Sequence, residues 1–168
     1  MTLRAARFAD IPRIVELMGE MHEASKYAEL DTVDEQAAHR LIAQCVQRHG
    51  HKHDGGSFVT VIEKDGQIEG FVVGILDRVY HIGKHLSAND VFLFCSSKAA
   101  PASGLALFKA YLNWAMAIPK VRVIKASWTD AVPGAERMAQ VYEKKGFTRT
   151  GEIFERVAMA PAELEQAA

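Results

Sequence analysis

The stretch DVFLFCSSKAAPASGLALFKAYLNW, Asp90 to Trp114, decides how this chain folds. Its opening, Asp90 to Cys95, is an apolar and aromatic run of strand length, too short for a helix. Small residues follow, Ala99-Ala100-Pro101-Ala102-Ser103-Gly104, and then the period changes to that of a helix. Leu105, Phe108, Leu112, Ala115 and Met116 are expected along its buried side, with Pro119 ending it. Small residues at such a junction let backbone N–H groups approach an anion, and a helix N-terminus adds about half a positive charge there. The same composition serves a tight strand–helix turn, and spacing alone does not separate the two readings.

Upstream, Leu3 to Ala6 reads as a short strand leading to Asp10, the expected N-cap of a helix striped with Ile11, Ile14, Val15, Met18 and Met21. Pro12 fits its first turn, where no intrahelical N–H donor is needed. A second helix opens on the capping box Thr32-x-x-Glu35, carries Ala38, Leu41, Ile42, Cys45 and Val46, and stops at Gly50. Ser57 to Glu63 alternates as a strand, Lys64-Asp65-Gly66-Gln67 is a hairpin turn, and Ile68 to Tyr80 is a long second strand. Gly70 and Gly74 within it mark bulges or close backbone approach. A loop is expected over His81 to Asn89. Downstream, Val121 to Ser127 reads as a strand and Gly134 to Lys145 as a helix closed by Gly146. Two last strands are expected over Phe147 to Thr150 and Ile153 to Met159. The antiparallel hairpin, and the absence of any G-x-G-x-x-G turn after a strand, argue against a doubly wound parallel sheet. The expected class is mixed α/β or α+β: a largely antiparallel, twisted central sheet flanked by about four helices.

The 168 residues carry 20 Lys+Arg against 21 Asp+Glu, a formal charge of −1, so no polybasic surface for nucleic acid or membrane is indicated. At 49% apolar and 24% charged residues, the chain has the composition of a soluble globular protein with one sizeable core. We expect one domain over residues 1–160 and a frayed tail over 161–168. Cys45 and Cys95 form no Cys-x-x-Cys, which leaves neither a disulfide framework nor a zinc ribbon. The first residues lack the apolar core of a signal peptide, and the longest strongly apolar stretch, Gly70 to Leu76, is too short to span a bilayer. The expected location is the cytoplasm.

The chain from Leu3 to Met159 resembles the GNAT superfamily of acyl-CoA-dependent N-acetyltransferases, and three stretches, in order, carry the resemblance. LRAARFADIPRIVELM looks like the family's first strand and helix. DVFLFCSSKAAPASGLALFKAYLNWA looks like its cofactor motif. AERMAQVYEKKGFTRTGE is similar to its closing helix and strand, where Val141-Tyr142-Glu143-Lys144-Lys145-Gly146-Phe147 matches a frequent family pattern. The resemblance implies a GNAT-like fold, acetyl-CoA as co-substrate, no metal, and direct attack of an amine on the thioester. Ala102, Ser103, Gly104, Leu105 and Ala106 would then cradle the pyrophosphate. The family loop usually begins with Arg or Gln and has a middle glycine; here Ala99 and Ala102 stand at those places, with Lys98 next door as a flexible point charge. Ala135 stands where the family often has Asn.

The resemblance also places roles. Phe94, Cys95 and Ser96 occupy the part of the central strand whose backbone holds the acyl oxygen, where the strand splays from its neighbour. Tyr142 takes the place of the tyrosine that protonates the leaving thiolate; as part of a stripe with Met138 and Val141 it has a second reading as a core residue. Asp90 sits where some members carry a water-activating carboxylate, and period two would put it on one face with Phe92 and Phe94. An Asp opening a strand also serves as a loop-end hydrogen bonder, and a water chain would replace it as base. Cys95 reads as a small buried residue, since no Cys–His pair is legible.

His49, His51 and His53 could place two imidazoles on one side of an extended segment, but with Asp54 alone in support they read as solvated loop residues. Trp128 would contact substrate or cap the core edge. The expected acceptor is a small-molecule or protein amine, with no nucleic acid and no membrane among the partners and a homodimer the one assembly envisaged. Met21 to Asp34 and His81 to Asn89 would select it; Glu29, Asp31 and Asp34 suit a cation or simply a solvated connection. The alternative function, suggested by Ala99 and Ala102, is a catalytically degenerate acyl-CoA-binding sensor or interaction module.

Overall fold

β-Branched and aromatic residues at alternate positions build the sheet, and each face is closed by its own helices. The computed structural model describes residues 1–132 and 134–157. Strands β1 (Thr2–Ala5), β2 (Ser57–Lys64), β3 (Gln67–Arg78), β4 (Leu86–Cys95) and β5 (Val121–Lys125) lie in that order in one sheet. The first three pairings are antiparallel; β4 and β5 are parallel, because helix α3 (Ser103–Met116) carries the chain back between them. Helices α1 (Ile11–Glu23) and α2 (Glu35–Gln47) cover one face, burying Ile14, Leu17 and Ile42 against Val59, Val61, Phe71 and Val73. On the other face α3 and α4 (Arg137–Lys144) bury Phe108, Tyr111 and Tyr142 with Ile62, Val72 and Leu76. Each such side chain contributes about 1.5–3 kcal/mol by leaving water.

Both strand glycines are close approaches. A Cβ on Gly74 would sit 2.8 Å from the Tyr111 ring, and one on Gly70 2.8 Å from Cys95 Sγ. Each also adjoins an irregularity: β4 is offset at Val91, opposite Gly74, and β3 at Glu69, beside Gly70.

Several local expectations are corrected. Asp10 does not cap α1; its carboxylate accepts from the Arg7 amide (2.7 Å) and the Arg4 guanidinium (2.6 Å), ending a 3-10 turn. Asp34, not Thr32, caps α2, accepting from Ala37 N at 2.8 Å. The buried side of α3 is Leu107, Phe108, Tyr111 and Ala115, while Leu105 is 37% and Met116 69% exposed. The Tyr111 ring laid over the bare Cα of Gly74 sets that rotation of the helix. β4 begins at Leu86, inside the expected loop, because Leu86 and Ala88 are buried against β5.

Residues 147–157 form no strand, and Ile153 (79% exposed) and Phe154 (89%) face solvent. Alternation yields a strand only where a neighbour pairs with it, and among the described residues no strand lies beyond β5. The end of that expected strand, Ala158 and Met159, and the tail 161–168 lie outside the described residues.

Candidate active site

The parallel pairing of β4 with β5 runs from Leu86↔Val121 to Asn89↔Lys125 and stops there. Past that pair the two strands part, and among the described residues no strand pairs with the β5 side of Asp90 to Cys95. On the other side β4 stays paired to β3. Ser96 N donates to Glu69 O at 2.8 Å, and an antiparallel ladder alternates the direction of successive amides. Phe94 and Ser96 therefore turn their N–H groups to β3, and Leu93 and Cys95 turn theirs into the gap. Of the expected acyl-holding stretch, Phe94 and Ser96 are thereby corrected: both amides face β3, and the Ser96 hydroxyl is engaged by Glu69 as well. Phe94 packs its ring in the α1/α2 core, and Cys95 lies toward the α3 core.

Val91 is the extra residue of β4, since Val73 pairs with Phe92 and Gly74 with Asp90. One inserted residue reverses the phase of a strand. Asp90 accordingly does not share a face with Phe92 and Phe94. It lies on the α3/α4 side, where its carboxylate accepts from Ser127 N (3.0 and 3.2 Å) and Ser127 Oγ (3.2 Å). Burial pushes the Asp90 carboxyl up to about 6, against the opposing pull of those Ser127 hydrogen bonds.

Tyr142 closes the same corner. Its ring packs on Phe108 (5.0 Å between centroids) and Phe147 (5.8 Å), so it is a core residue. Its hydroxyl also reaches the gap and donates to Ser127 O at 3.0 Å. Burial and the nearby Asp90 charge push its ionisation up, which keeps the phenol protonated at neutral pH. Tyr111 is held alike, donating to Lys125 O at 2.8 Å. Ser127, which joins Asp90 to Tyr142, carries no signal in the sequence; a lone serine after a strand is unremarkable. Leu93 escaped notice for a similar reason, because an amide's direction follows from pairing and not from residue type.

At the far end of the gap stands the N-terminus of α3. Ser103 N donates to Ala100 O (2.8 Å) and Ala106 N to Ala102 O (3.0 Å), which leaves the Gly104 and Leu105 amides as first-turn donors without a backbone acceptor among the described residues. Among the described residues a Cβ on Gly104 would meet only Leu93 Cδ2, at 3.9 Å, so they leave the space at this turn open. Ala102 and Lys98 are exposed, Ala99 is half-buried, and Lys98 N donates to Ser96 Oγ (3.3 Å). From this turn to Asp90 the strand covers about 15 Å at ordinary strand rise. An extended ligand with an anionic end and a reactive end fits that run of donors.

Other expected residues lie apart. Burial pushes the Cys95 thiol up to about 11, so it stays protonated and unreactive at neutral pH. His49 turns inward, stacks on Phe58 and accepts from Val59 N at 2.9 Å, while His53 bonds the Asp54 carbonyl (2.9 Å). Among the described residues no group of three or more potential metal ligands comes together. Asp31 lines a cleft of about 770 Å³ between α1 and α2, with Glu16, Glu20 and Glu35, but no residue of β4 or β5 reaches it. Trp128 follows Ser127 and is part-exposed.

No family model matches this chain, and no curated protein matches it in sequence. Solved structures do match it in shape. An acetyltransferase of Trypanosoma brucei superimposes with a TM-score of 0.64 at 18% identity, over 94% of this chain and 99% of that one. A ribosomal-protein-alanine N-acetyltransferase from Brucella melitensis gives 0.68 at 21% identity, over 90% and 86%. A transcriptional regulator from Bacillus halodurans gives 0.67 at 15% identity, over 94% and 99%. The fold is GNAT-like, as the order of the three sequence stretches implies.

Proposed function

We propose that this protein transfers the acetyl group of acetyl-CoA to a primary amine by direct attack. The observation that carries this reading is the parting of β4 from β5. It leaves inward-facing amides on a track from the α3 N-terminus to the Asp90–Ser127–Tyr142 corner. Acetyltransferases among the structures of similar fold support it. The Gly104 and Leu105 amides would receive the pyrophosphate, with Lys98 beside them, and Leu93 and Cys95 would bond the pantetheine arm and the acyl oxygen.

The neutral amine attacks the thioester carbon through the gap past the last β4–β5 pair, and the proton it sheds as the C–N bond forms passes by water to Asp90. The oxyanion collapses, the C–S bond breaks, and the thiolate takes the Tyr142 proton; the proton held by Asp90 then restores the phenol, leaving an amide and free coenzyme A. A carboxyl near 6 is mostly ionised at pH 7 and accepts a proton more readily than an ordinary Asp. Tyr142, held protonated by burial, is charged with the opposite task. Cys95 remains a thiol and forms no acyl-enzyme.

The absence of a forked cation at Ala99 favours a second reading, a protein that binds acyl-CoA without turnover. Free-thiol release from acetyl-CoA across a panel of amines separates the two: a transferase releases thiol only with its acceptor, a binding module with none. Among the described residues no helix is long and apolar enough to cross a membrane, and we place the reaction in the cytoplasm.

A further inference from the structure

On the face of β4 opposite Asp90 lies a cleft of about 540 Å³, bounded by Ile75, Asp77, Asn89, Val91 and Lys125. Val91 is the bulge residue itself and is 40% exposed there, so the cleft reaches along β4 to within two residues of Leu93, whose amide faces the gap. Its charged groups are unequal. Asp54 is paired with Arg78 (3.2 Å) and Asp77 with the His81 ring (2.6 Å), whereas Lys125 makes no ion pair among the described residues. Asn89 and Lys125 are partners across β4 and β5, the last before the strands part, about 4.8 Å apart as neighbouring strands are. The Asn89 amide donates to Ser87 Oγ (3.2 Å), which turns its Oδ1 into an available acceptor. The Lys125 backbone is fixed by the Tyr111 hydroxyl at 2.8 Å. At the rim Tyr80 and His81 both hold positive φ (57° and 62°), a strained pair of the kind found where backbone is shaped around a ligand.

We infer that this cleft receives the acceptor and that the acceptor is a free α-amino acid. A hydrogen-bond acceptor and an unpaired cation one strand apart match an amine and a carboxylate on one α-carbon. Asn89 Oδ1 holds the amine beside the bulge, Lys125 holds the carboxylate, and the side chain lies over Ile75. The inference rests on the transfer reading for the position of the thioester.

Calorimetric titration of coenzyme-A-saturated protein with L-amino acids tests it, each set against the amine lacking its carboxylate, such as phenylalanine against phenethylamine and lysine against cadaverine. The best amino acid is expected to bind roughly ten- to a hundredfold more tightly than its counterpart, the range of one charge-assisted contact. Lys125→Met should bring that ratio close to one, and Lys125→Arg should restore most of it. Equal binding within every pair, preference for the decarboxylated amine, a ratio that survives Lys125→Met, or no binding by any amino acid overturns the inference. Thiol release reports on the transfer reading separately. A protein that releases thiol without preference within pairs keeps that reading and loses this one; one that binds amino acids through Lys125 and releases none does the reverse.

Discussion

Asp90 and Tyr142 are joined through a single residue: the Ser127 amide and hydroxyl donate to the Asp90 carboxylate, and the Ser127 carbonyl accepts from the Tyr142 hydroxyl at 3.0 Å. One segment of backbone thus sets the position of the proposed base and the proposed acid. Because Ser127 lies two residues past the end of β5, that corner lies where the strands part.

Asp90→Asn is expected to separate activity from stability. A carboxyl raised from 3.8 to about 6 binds protons more tightly in the folded state than in the unfolded one. Stability therefore falls as pH rises through that window, and the ionised carboxylate is a burden above it. The Asn variant should melt higher than the parent at pH 8, with the gain gone below about pH 4. Its turnover should drop and lose the rise through pH 6 that the parent shows. Melting curves and rate profiles over pH 4–9 check both; a parent rate that is flat through pH 6 counts against Asp90 as base.

Tyr142→Phe keeps the ring contacts with Phe108 and Phe147 and removes the donor to Ser127 O. It should cost about 1 kcal/mol of stability and lower turnover by about ten- to a thousandfold, with acetyl-CoA still bound. Tyr142→Ala should cost about 3 kcal/mol or more through the cavity it opens. Urea denaturation and initial rates on both variants check this; a fully active Phe variant removes Tyr142 from the chemistry.

At the α3 turn, Gly104→Ala should fold and bind coenzyme A, because among the described residues its Cβ meets only Leu93 Cδ2 at 3.9 Å. Gly104→Asp sets a carboxylate before the same amides and should abolish binding. Ala99→Arg should tighten it by about 1 kcal/mol if that position faces phosphate. Calorimetry with coenzyme A reads all three.

Gly74→Ala should be far less tolerated. Its Cβ would lie 2.8 Å from two Tyr111 ring carbons and 3.1 Å from Trp114, so the helix must shift. We expect a loss of about 1–3 kcal/mol, measured by denaturant midpoint.

Much of the fold was legible because its signals are local. The Asp65–Gly66 hairpin, the alternation over Ser57 to Glu63 and the order strand, small-residue loop, helix each follow from neighbouring residues, and the hairpin pairs as expected. The close approach at Gly74 was legible too, though not its partner Tyr111. What escaped depends on pairing. The single extra residue at Val91 moves Asp90 to the other face, and no propensity marks it. Ser127 becomes important only because the end of β5 lies beside Asp90. Asp10 has the composition of a helix cap but is taken by Arg4, whose strand is brought beside it by pairing with β2. The alternation over Ile153 to Val157 found no neighbour, so pattern alone misjudged it.

The most direct test of the central claim is a transfer experiment with acetyl-CoA labelled at its carbonyl carbon, incubated with the protein and a panel of amines. We expect free thiol to appear only when an accepted amine is present, in equal amount to a labelled N-acetyl product, with no label left on the protein. Thiol release without amine, label retained on the protein, or no turnover with any amine by a protein that binds acetyl-CoA would contradict direct transfer along the parted β4 strand.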